Sequence, residues 1–272
     1  MNEVVSSILT AVGIVGGIGL VCALLLVVAS KVMAVRVDER VAKVRQCLPG
    51  ANCGACGFTG CDGYADALVN KPGTKTNLCV PGGDSTSRSI SETLGVKFED
   101  VIEQVAFVHC DGDENNTHKK YDYVGVETCK AAKLFYGGDG SCTYGCLGYG
   151  DCLRACPTGA ICLKEGIAKI NANVCIGCGI CAKTCPNHII SMLPAVAKVA
   201  VTCSNKENGA AARKKCLNAC IGCKKCEKSC PSGAVTATDN LAHVDYSLCT
   251  GCETCADVCP THAIKRVNLA KS

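Results

Sequence analysis

The run Cys220-Ile-Gly-Cys223-Lys-Lys-Cys226-Glu-Lys-Ser-Cys230-Pro231 decides the fold. Three cysteines at C-x2-C-x2-C spacing wrap one [4Fe-4S] cluster, and the cysteine of the following x3-C-P serves a neighbouring cluster. Variants of the run recur along the chain, which neither a disulfide knot nor chance would produce. The chain reads as an electron carrier.

Composition supports that reading. Cysteine supplies 27 of 272 residues, aromatics only 4%, and there is no Trp. A large aromatic core is therefore not available, and clusters must supply part of the interior. A secreted disulfide scaffold would also be cysteine-rich, but the spacing here is that of metal ligands. The net charge of +4 is too small to point to nucleic acid.

Outward from the opening run, the sequence repeats from Cys129 onward with a period of 74 residues. Cys129 pairs with Cys203, Cys142 with Cys216, Cys146 with Cys220, Cys152 with Cys226, Cys156 with Cys230, and Cys175 to Cys185 with Cys249 to Cys259. Each unit is itself doubled, and each half closes on the same turn: Cys-Pro-Thr-Gly, Cys-Pro-Asn-His, Cys-Pro-Ser-Gly, Cys-Pro-Thr-His. Short apolar strands, Ile167 to Ile170 and Ala242 to Tyr246, separate the halves. Two tandem ferredoxin-like units of paired hairpins and short helices are expected, an α+β fold.

The cross-over rule assigns ligands. In the second unit it gives Cys220, Cys223, Cys226 with Cys259, and Cys249, Cys252, Cys255 with Cys230. In the first it gives Cys175, Cys178, Cys181 with Cys156. The fourth set is defective, because Tyr149 stands where Cys223 stands in the other unit. Cys142, four residues before Cys146, is the nearest replacement, so the expected set is Cys142, Cys146, Cys152 and Cys185. With Cys22, Cys47 and Cys162 set aside and Cys53, Cys56, Cys61 and Cys79 forming an N-terminal set, Cys110, Cys129, Cys203 and Cys216 remain for a sixth cluster shared between the units. Cys142 and Cys216 are repeat-equivalent, and either could belong to that sixth site. Packed free thiols are the competing account of these four.

Upstream, Asn52-Cys53-Gly-Ala-Cys56-Gly-Phe-Thr-Gly-Cys61 spaces three cysteines among glycines, with Cys79 as the fourth ligand after a helix from about Gly63 to Asn70. Glycines let the backbone close around a cluster. Ser85 to Ser91 reads as a polar linker. Val4 to Ser30 contains no charge, and its apolar core is long enough to span a bilayer. Lys31, Arg36, Arg40, Lys43 and Arg45 follow it against Glu3 on the other flank, so the positive-inside rule places the soluble part in the cytoplasm. Val32 to Gln46 reads as a helical stalk.

The expected organisation is an anchor (1–31), stalk and N-terminal cluster domain (32–92), a connector (93–128), and ferredoxin-like units at 129–202 and 203–272. Five [4Fe-4S] clusters are expected, with the sixth as described. Lys214, Lys215, Lys224, Lys225 and Lys228 gather beside the Cys220 cluster and offer a docking face for an acidic partner. No dinucleotide loop, Ser-His-Asp set or paired-carboxylate site stands out, so this chain carries no catalytic site of its own and binds neither flavin, NAD nor nucleic acid.

The order of anchor, Pro-Gly-x-Asn-Cys-Gly-x-Cys-Gly-x-x-Gly-Cys domain and tandem units resembles the B subunit of the Rnf electron transport complex, in its long form. The resemblance covers essentially the whole chain, and its most specific motifs are Asn52 to Cys61 and Cys142 to Cys152. It implies a relay subunit of an ion-translocating ferredoxin:NAD oxidoreductase in the bacterial cytoplasmic membrane. Reduced soluble ferredoxin would be the electron source, and other Rnf subunits the membrane partners, carrying the flavins, NAD site and ion path. A membrane-tethered polyferredoxin that reduces a redox-sensing regulator, without ion coupling, is the alternative the sequence leaves open.

Overall fold

The computed structural model describes residues 2–32 and 38–270, so residues 33–37 of the expected stalk, Arg36 among them, lie outside it. Helix α1 runs Asn2–Val32, and none of its Val12–Lys31 span is buried against the rest of the protein. A span of 20 residues rises about 30 Å as a helix, the thickness of the hydrocarbon core. An unpaired apolar rod of that length has a bilayer as its natural solvent, consistent with a membrane anchor.

A small helical domain follows, made of α2 (Glu39–Cys47), α3 (Cys61–Asn70) and α4 (Gly83–Leu94). Asp38 caps α2 through the Arg40 N–H. Val44, Tyr64 and Ile90, one from each helix, are fully buried together with Cys61 and Cys79. The segment expected as a linker is thus the body of α4. Its inner face is made of Thr86, Ser87, Ile90 and Ser91, small polar side chains at helical spacing. Their hydroxyls are satisfied inside: Ser87 Oγ donates to Glu99 O (2.9 Å) and Ser91 Oγ to Thr76 Oγ1 (3.2 Å). Gly95, left-handed at φ 67°, ends the helix.

The remainder is two copies of one element order. The first copy is β1 (Gln104–Val108), α5 (Cys129–Lys133), α6 (Asp151–Arg154), β2 (Ile161–Lys164), β3 (Ile167–Ile170), α7 (Ile180–Thr184) and β4 (Ile190–Pro194). The second is β5 (Val199–Val201), α8 (Gly209–Lys215), α9 (Lys225–Ser229), β6 (Val235–Thr238), β7 (Leu241–Val244), α10 (Thr254–Asp257) and β8 (Ile264–Arg266). β1 pairs antiparallel with β4, and β5 with β8, while β2–β3 and β6–β7 are hairpins. The opening strand of the first copy therefore comes from the stretch read as a connector.

That strand changes the internal alignment. Val108-His109-Cys110 leaves β1 as Val201-Thr202-Cys203 leaves β5, so Cys110, not Cys129, is the structural equivalent of Cys203. Both thiols accept from the N–H two residues on, of Gly112 and Asn205, and from the N–H of the first motif cysteine, Cys146 and Cys220. Cys110 and Cys142 stand 32 residues apart whereas Cys203 and Cys216 stand 13 apart. The extra stretch in the first unit carries Cys129.

The two copies are joined where β1 and β5 end. His109 Nδ1 donates to Val201 O (2.6 Å), while burial holds its pKa below the ordinary value, so the neutral ring accepts from Ser191 Oγ at Nε2 (2.6 Å). Beside it the Asp111 carboxylate, 10% exposed, bonds Lys169 of β3, Lys265 of β8 and Asn218. Burial works against ionisation of Asp111, but the two ammonium groups outweigh it and hold its pKa low.

Candidate metal centres

The cluster loops share one backbone device. Gly148, Gly177, Gly222 and Gly251 all have φ between 62° and 77°, and two residues later Gly150, Gly179, Lys224 and Glu253 are left-handed as well. Alternating left-handed residues turn successive N–H groups to one side and make an anion-binding concavity. Lys224 and Glu253 hold this shape despite a steric cost of about 1 kcal/mol. The Cys-Pro turns form a second such device: Gly159, His188, Gly233 and His262 all have positive φ and donate back to the carbonyl of Cys156, Cys185, Cys230 and Cys259. Within this turn burial opposes ionisation of Cys156 and Cys230, yet the hydroxyl and N–H bonds from Thr158 and Ser232 prevail and lower both thiols.

Twenty-four cysteines fall into six quartets. Quartet A is Cys53, Cys56, Cys61 and Cys79, whose thiols lie within electrostatic reach of one another. Asn52, left-handed at φ 47°, holds this loop by accepting the Cys61 N–H at Oδ1 (2.8 Å). Quartet B is Cys156, Cys175, Cys178 and Cys181. Quartet E, Cys220, Cys223, Cys226 and Cys259, surrounds one cavity, and quartet F gathers Cys230, Cys249, Cys252 and Cys255. These four groupings are the ones spacing leads one to expect.

The other two differ from expectation. Cys129, Cys146, Cys152 and Cys185 ring a single cavity, quartet C, with Cys129 in the place expected for Cys142. The reason is local. Thr128 caps α5 through the Ala131 N–H and Asp151 accepts from Lys130 N–H, so α5 lies against the Tyr149 loop. The Cys129 thiol accepts backbone N–H bonds from Tyr149 and Asp151, and so joins the cavity in place of the missing loop cysteine. Tyr149 itself turns away, donating its hydroxyl to Asp139 Oδ2 (3.0 Å). Cys142 instead joins Cys110, Cys203 and Cys216 around a separate cavity, quartet D. Two of its thiols come from each repeat, in equivalent positions.

Burial pushes the thiols of Cys110 and Cys152 up to about 12, and those of Cys181, Cys203, Cys226 and Cys255 up to about 11, with neighbouring thiols adding to it. Such groups are neutral until a metal displaces the proton. Soft sulfur donors fit iron–sulfur clusters or zinc. Among the described residues no three Cys, His, Asp or Glu side chains converge as they would on one ion. Thiols ringed around a cavity, with N–H groups aimed at their sulfurs, suit a polynuclear cluster.

The quartets are strung in a row. Cys178 of B lies within reach of Cys53 of A, Cys181 of B within reach of Cys152 of C, and Cys146 N–H of C donates to Cys110 Sγ of D (3.3 Å). Cys203 of D lies beside Cys220 of E, and α9 joins Cys226 of E to Cys230 of F in one turn. Cys22, Cys47 and Cys162 stand outside these groups. Of the lysines expected to form a docking face, Lys214, Lys224, Lys225 and Lys228 are exposed, and Lys224 and Lys225 border the quartet E cavity with the exposed Cys223, whereas Lys215 is paired with Glu207 (2.5 Å).

An α+β protein with an N-terminal apolar helix, an FeS domain and 4Fe-4S dicluster domains is the class that this fold and site define. Residues 48–81 match the family described as "Putative Fe-S cluster", and residues 174–234 and 219–263 match the 4Fe-4S dicluster domain. The chain is 42% identical, over 85% of its length and 82% of the relative's, to the B subunit of the proton-translocating ferredoxin:NAD(+) oxidoreductase complex of Clostridium ljungdahlii. It is 38% identical to the Na(+)-translocating counterpart of Acetobacterium woodii, over 89% of this chain and 72% of that one. It is also 38% identical to the B subunit of the ion-translocating oxidoreductase complex of Methanosarcina acetivorans, over 88% and 91%. The chain belongs to this family, the iron–sulfur B subunits of Rnf complexes, and other subunits of the complex are its partners.

Proposed function

We propose that this chain takes electrons from reduced, acidic ferredoxin and relays them to membrane subunits of an Rnf complex on the way to NAD, coupled to ion transport. The flavins, NAD and the ion path belong to those other subunits. The observation that carries the reading is the row of six cysteine quartets, A to E each with a thiol or N–H in reach of the next and E joined to F by one turn of α9. When bound, [4Fe-4S] clusters supply one-electron carriers whose potentials follow charge, N–H bonds and burial. The chain's own part is to hold the thiolates, aim N–H groups at sulfur and keep the carriers in line. Quartet D, with ligands from both repeats, gives the sixth cluster and bridges the two units.

Electrons arrive at quartet E, where the exposed Cys223 shares a cavity rim with the exposed Lys224 and Lys225, and Lys214 and Lys228 of the same unit are exposed as well. A basic surface of this kind steers an acidic carrier and raises the rate of encounter. The excess of Lys31, Arg40, Lys43 and Arg45 after α1 supports a cytoplasmic position for the soluble part. The chain purified without oxygen should hold about 24 iron atoms, and membrane vesicles containing it should reduce NAD at the expense of ferredoxin with ion uptake. Charge reversal at Lys214, Lys224 and Lys225 should raise the KM for ferredoxin about tenfold while leaving iron content unchanged. An unchanged KM would remove quartet E as the docking point, and vesicles that reduce NAD equally well without the chain would refute the relay.

A further inference from the structure

We infer that Lys183 is a positioning residue that fastens quartet A to quartet B and holds a positive charge in the gap between them. The inference rests on the relay reading, since it concerns how two of its carriers are coupled. Lys183 lies on α7 between Cys181 and Cys185, one ligand of quartet B and one of quartet C. Its ammonium reaches out of the ferredoxin-like unit and donates to Cys53 O (3.4 Å) and Gly54 O (3.3 Å) in the loop of quartet A. Gly54 is left-handed at φ 68°, and a Cβ there would stand 3.3 Å from the ammonium. The loop is shaped to present its carbonyls to this one cation.

A second contact closes the same gap. At Gly177, between Cys175 and Cys178, an added Cβ would lie 2.7 Å from Val80 Cγ1 and 2.5 Å from Gln104 O. Val80 follows Cys79, so the loops of the two quartets meet backbone to side chain with no room for another atom. The covalent link between the domains is short. Glu99 O and the Val101 N–H are bonded to Ser87 and Asp84 of the helical domain, and Glu103 O already accepts from Ala195 across the ferredoxin-like unit. Ile102, 70% exposed, stands between. These contacts hold A in line with B across that short link.

The equivalent helix positions show what is particular to Lys183. Arg154 of α6 bonds Asp151 and the Glu127 carbonyl, and Asp257 of α10 pairs with Arg266, each in its own unit, while Lys228 of α9 is exposed. Lys183 instead spans 130 residues of sequence to reach Cys53. A cation between two sets of thiolates favours the state with one more electron on either side, for the same reason that it lowers the pKa of a nearby acid. Solvent exposure of the lysine reduces that effect to about tenfold in the equilibrium constant for reduction.

The test uses the full chain, purified without oxygen, as wild type, Lys183→Gln and Lys183→Arg. Iron content is measured first, then EPR-monitored redox titration and the spin–spin interaction between the clusters of A and B. The expected result is full iron in all three and, in Lys183→Gln, reduction of these two clusters about tenfold less favourable, about 59 mV for a one-electron couple, with a weakened interaction. Lys183→Arg, which keeps the charge and the donors, should restore both. Full iron with unchanged potentials and interaction in Lys183→Gln would overturn the inference and leave the relay intact. Iron lost from Lys183→Gln alone would overturn it in favour of a purely structural role. A wild-type chain without clusters at A and B would overturn the relay reading itself.

Discussion

Whether Cys129 or Cys142 completes quartet C can be decided by pairs of substitutions, because two cysteines of one cluster are lost together and two of different clusters are lost separately. The structure puts Cys129 and Cys152 around one cavity and Cys142 around another. Each of Cys129→Ala, Cys142→Ala and Cys152→Ala removes one thiolate from a set of four and should cost about four of about 24 iron atoms. Cys129→Ala with Cys152→Ala should still cost only about four, whereas Cys142→Ala with Cys152→Ala should cost about eight. Iron and sulfide analysis of the chain purified without oxygen measures both. A second readout comes from the position of quartet C between B and D. Electrons supplied at quartet E of the Cys129→Ala chain should reduce E, F and D rapidly, and leave A and B oxidised in rapid-freeze EPR. The reverse pattern, eight iron atoms lost with Cys129 and Cys152 together but four with Cys142 and Cys152, would refute the grouping.

Asp111→Asn should lower unfolding free energy by about 1–2 kcal/mol, the two lysines being about 40% exposed and partly screened. Because the folded pKa of Asp111 is depressed, its contribution is fully present above the unfolded value of about 4 and is lost only as pH falls further. Denaturant midpoints of wild type and Asp111→Asn should therefore differ equally at pH 7 and pH 5.5. Asn52→Ala removes the acceptor of the Cys61 N–H and puts a non-glycine aliphatic residue at φ 47°, a combined cost of about 2–3 kcal/mol. Chelator should strip iron from quartet A of that variant faster than from the other quartets, and Asn52→Gly, which relieves the backbone, should show a smaller change.

The sequence made much of this arrangement legible, and particular residues explain where it stopped. Quartets A, B, E and F have their cysteines in compact motifs or at a fixed cross-over distance, so counting residues leads to the same groups that the fold brings together. Quartet D depends on where β1 delivers Cys110, and quartet C on α5 lying against the Tyr149 loop. Cys129 happens to lie 74 residues before Cys203, the same interval as the true repeat pairs, and this coincidence hid the equivalence of Cys110 with Cys203. The signal that could have found it is the shared Val-x-Cys at the end of an apolar run, Val108 to Cys110 and Val201 to Cys203. Helix α4 was obscured differently. Its buried face is written in Thr86, Ser87 and Ser91, which resemble a linker by composition and yet keep helical spacing around Ile90.

The make-up of quartet D has a consequence for how the protein matures. Neither repeat alone can enclose a cluster there, since Cys110 and Cys142 belong to one and Cys203 and Cys216 to the other. A cluster at quartet D would therefore need both repeats docked, as they are through His109 and Asp111. Once filled, it clips together residues more than a hundred positions apart, a loop closure worth about 4–5 kcal/mol on the scale of a covalent cross-link. The carrier at the centre of the row would then also be the rivet that keeps its two halves from drifting apart during turnover.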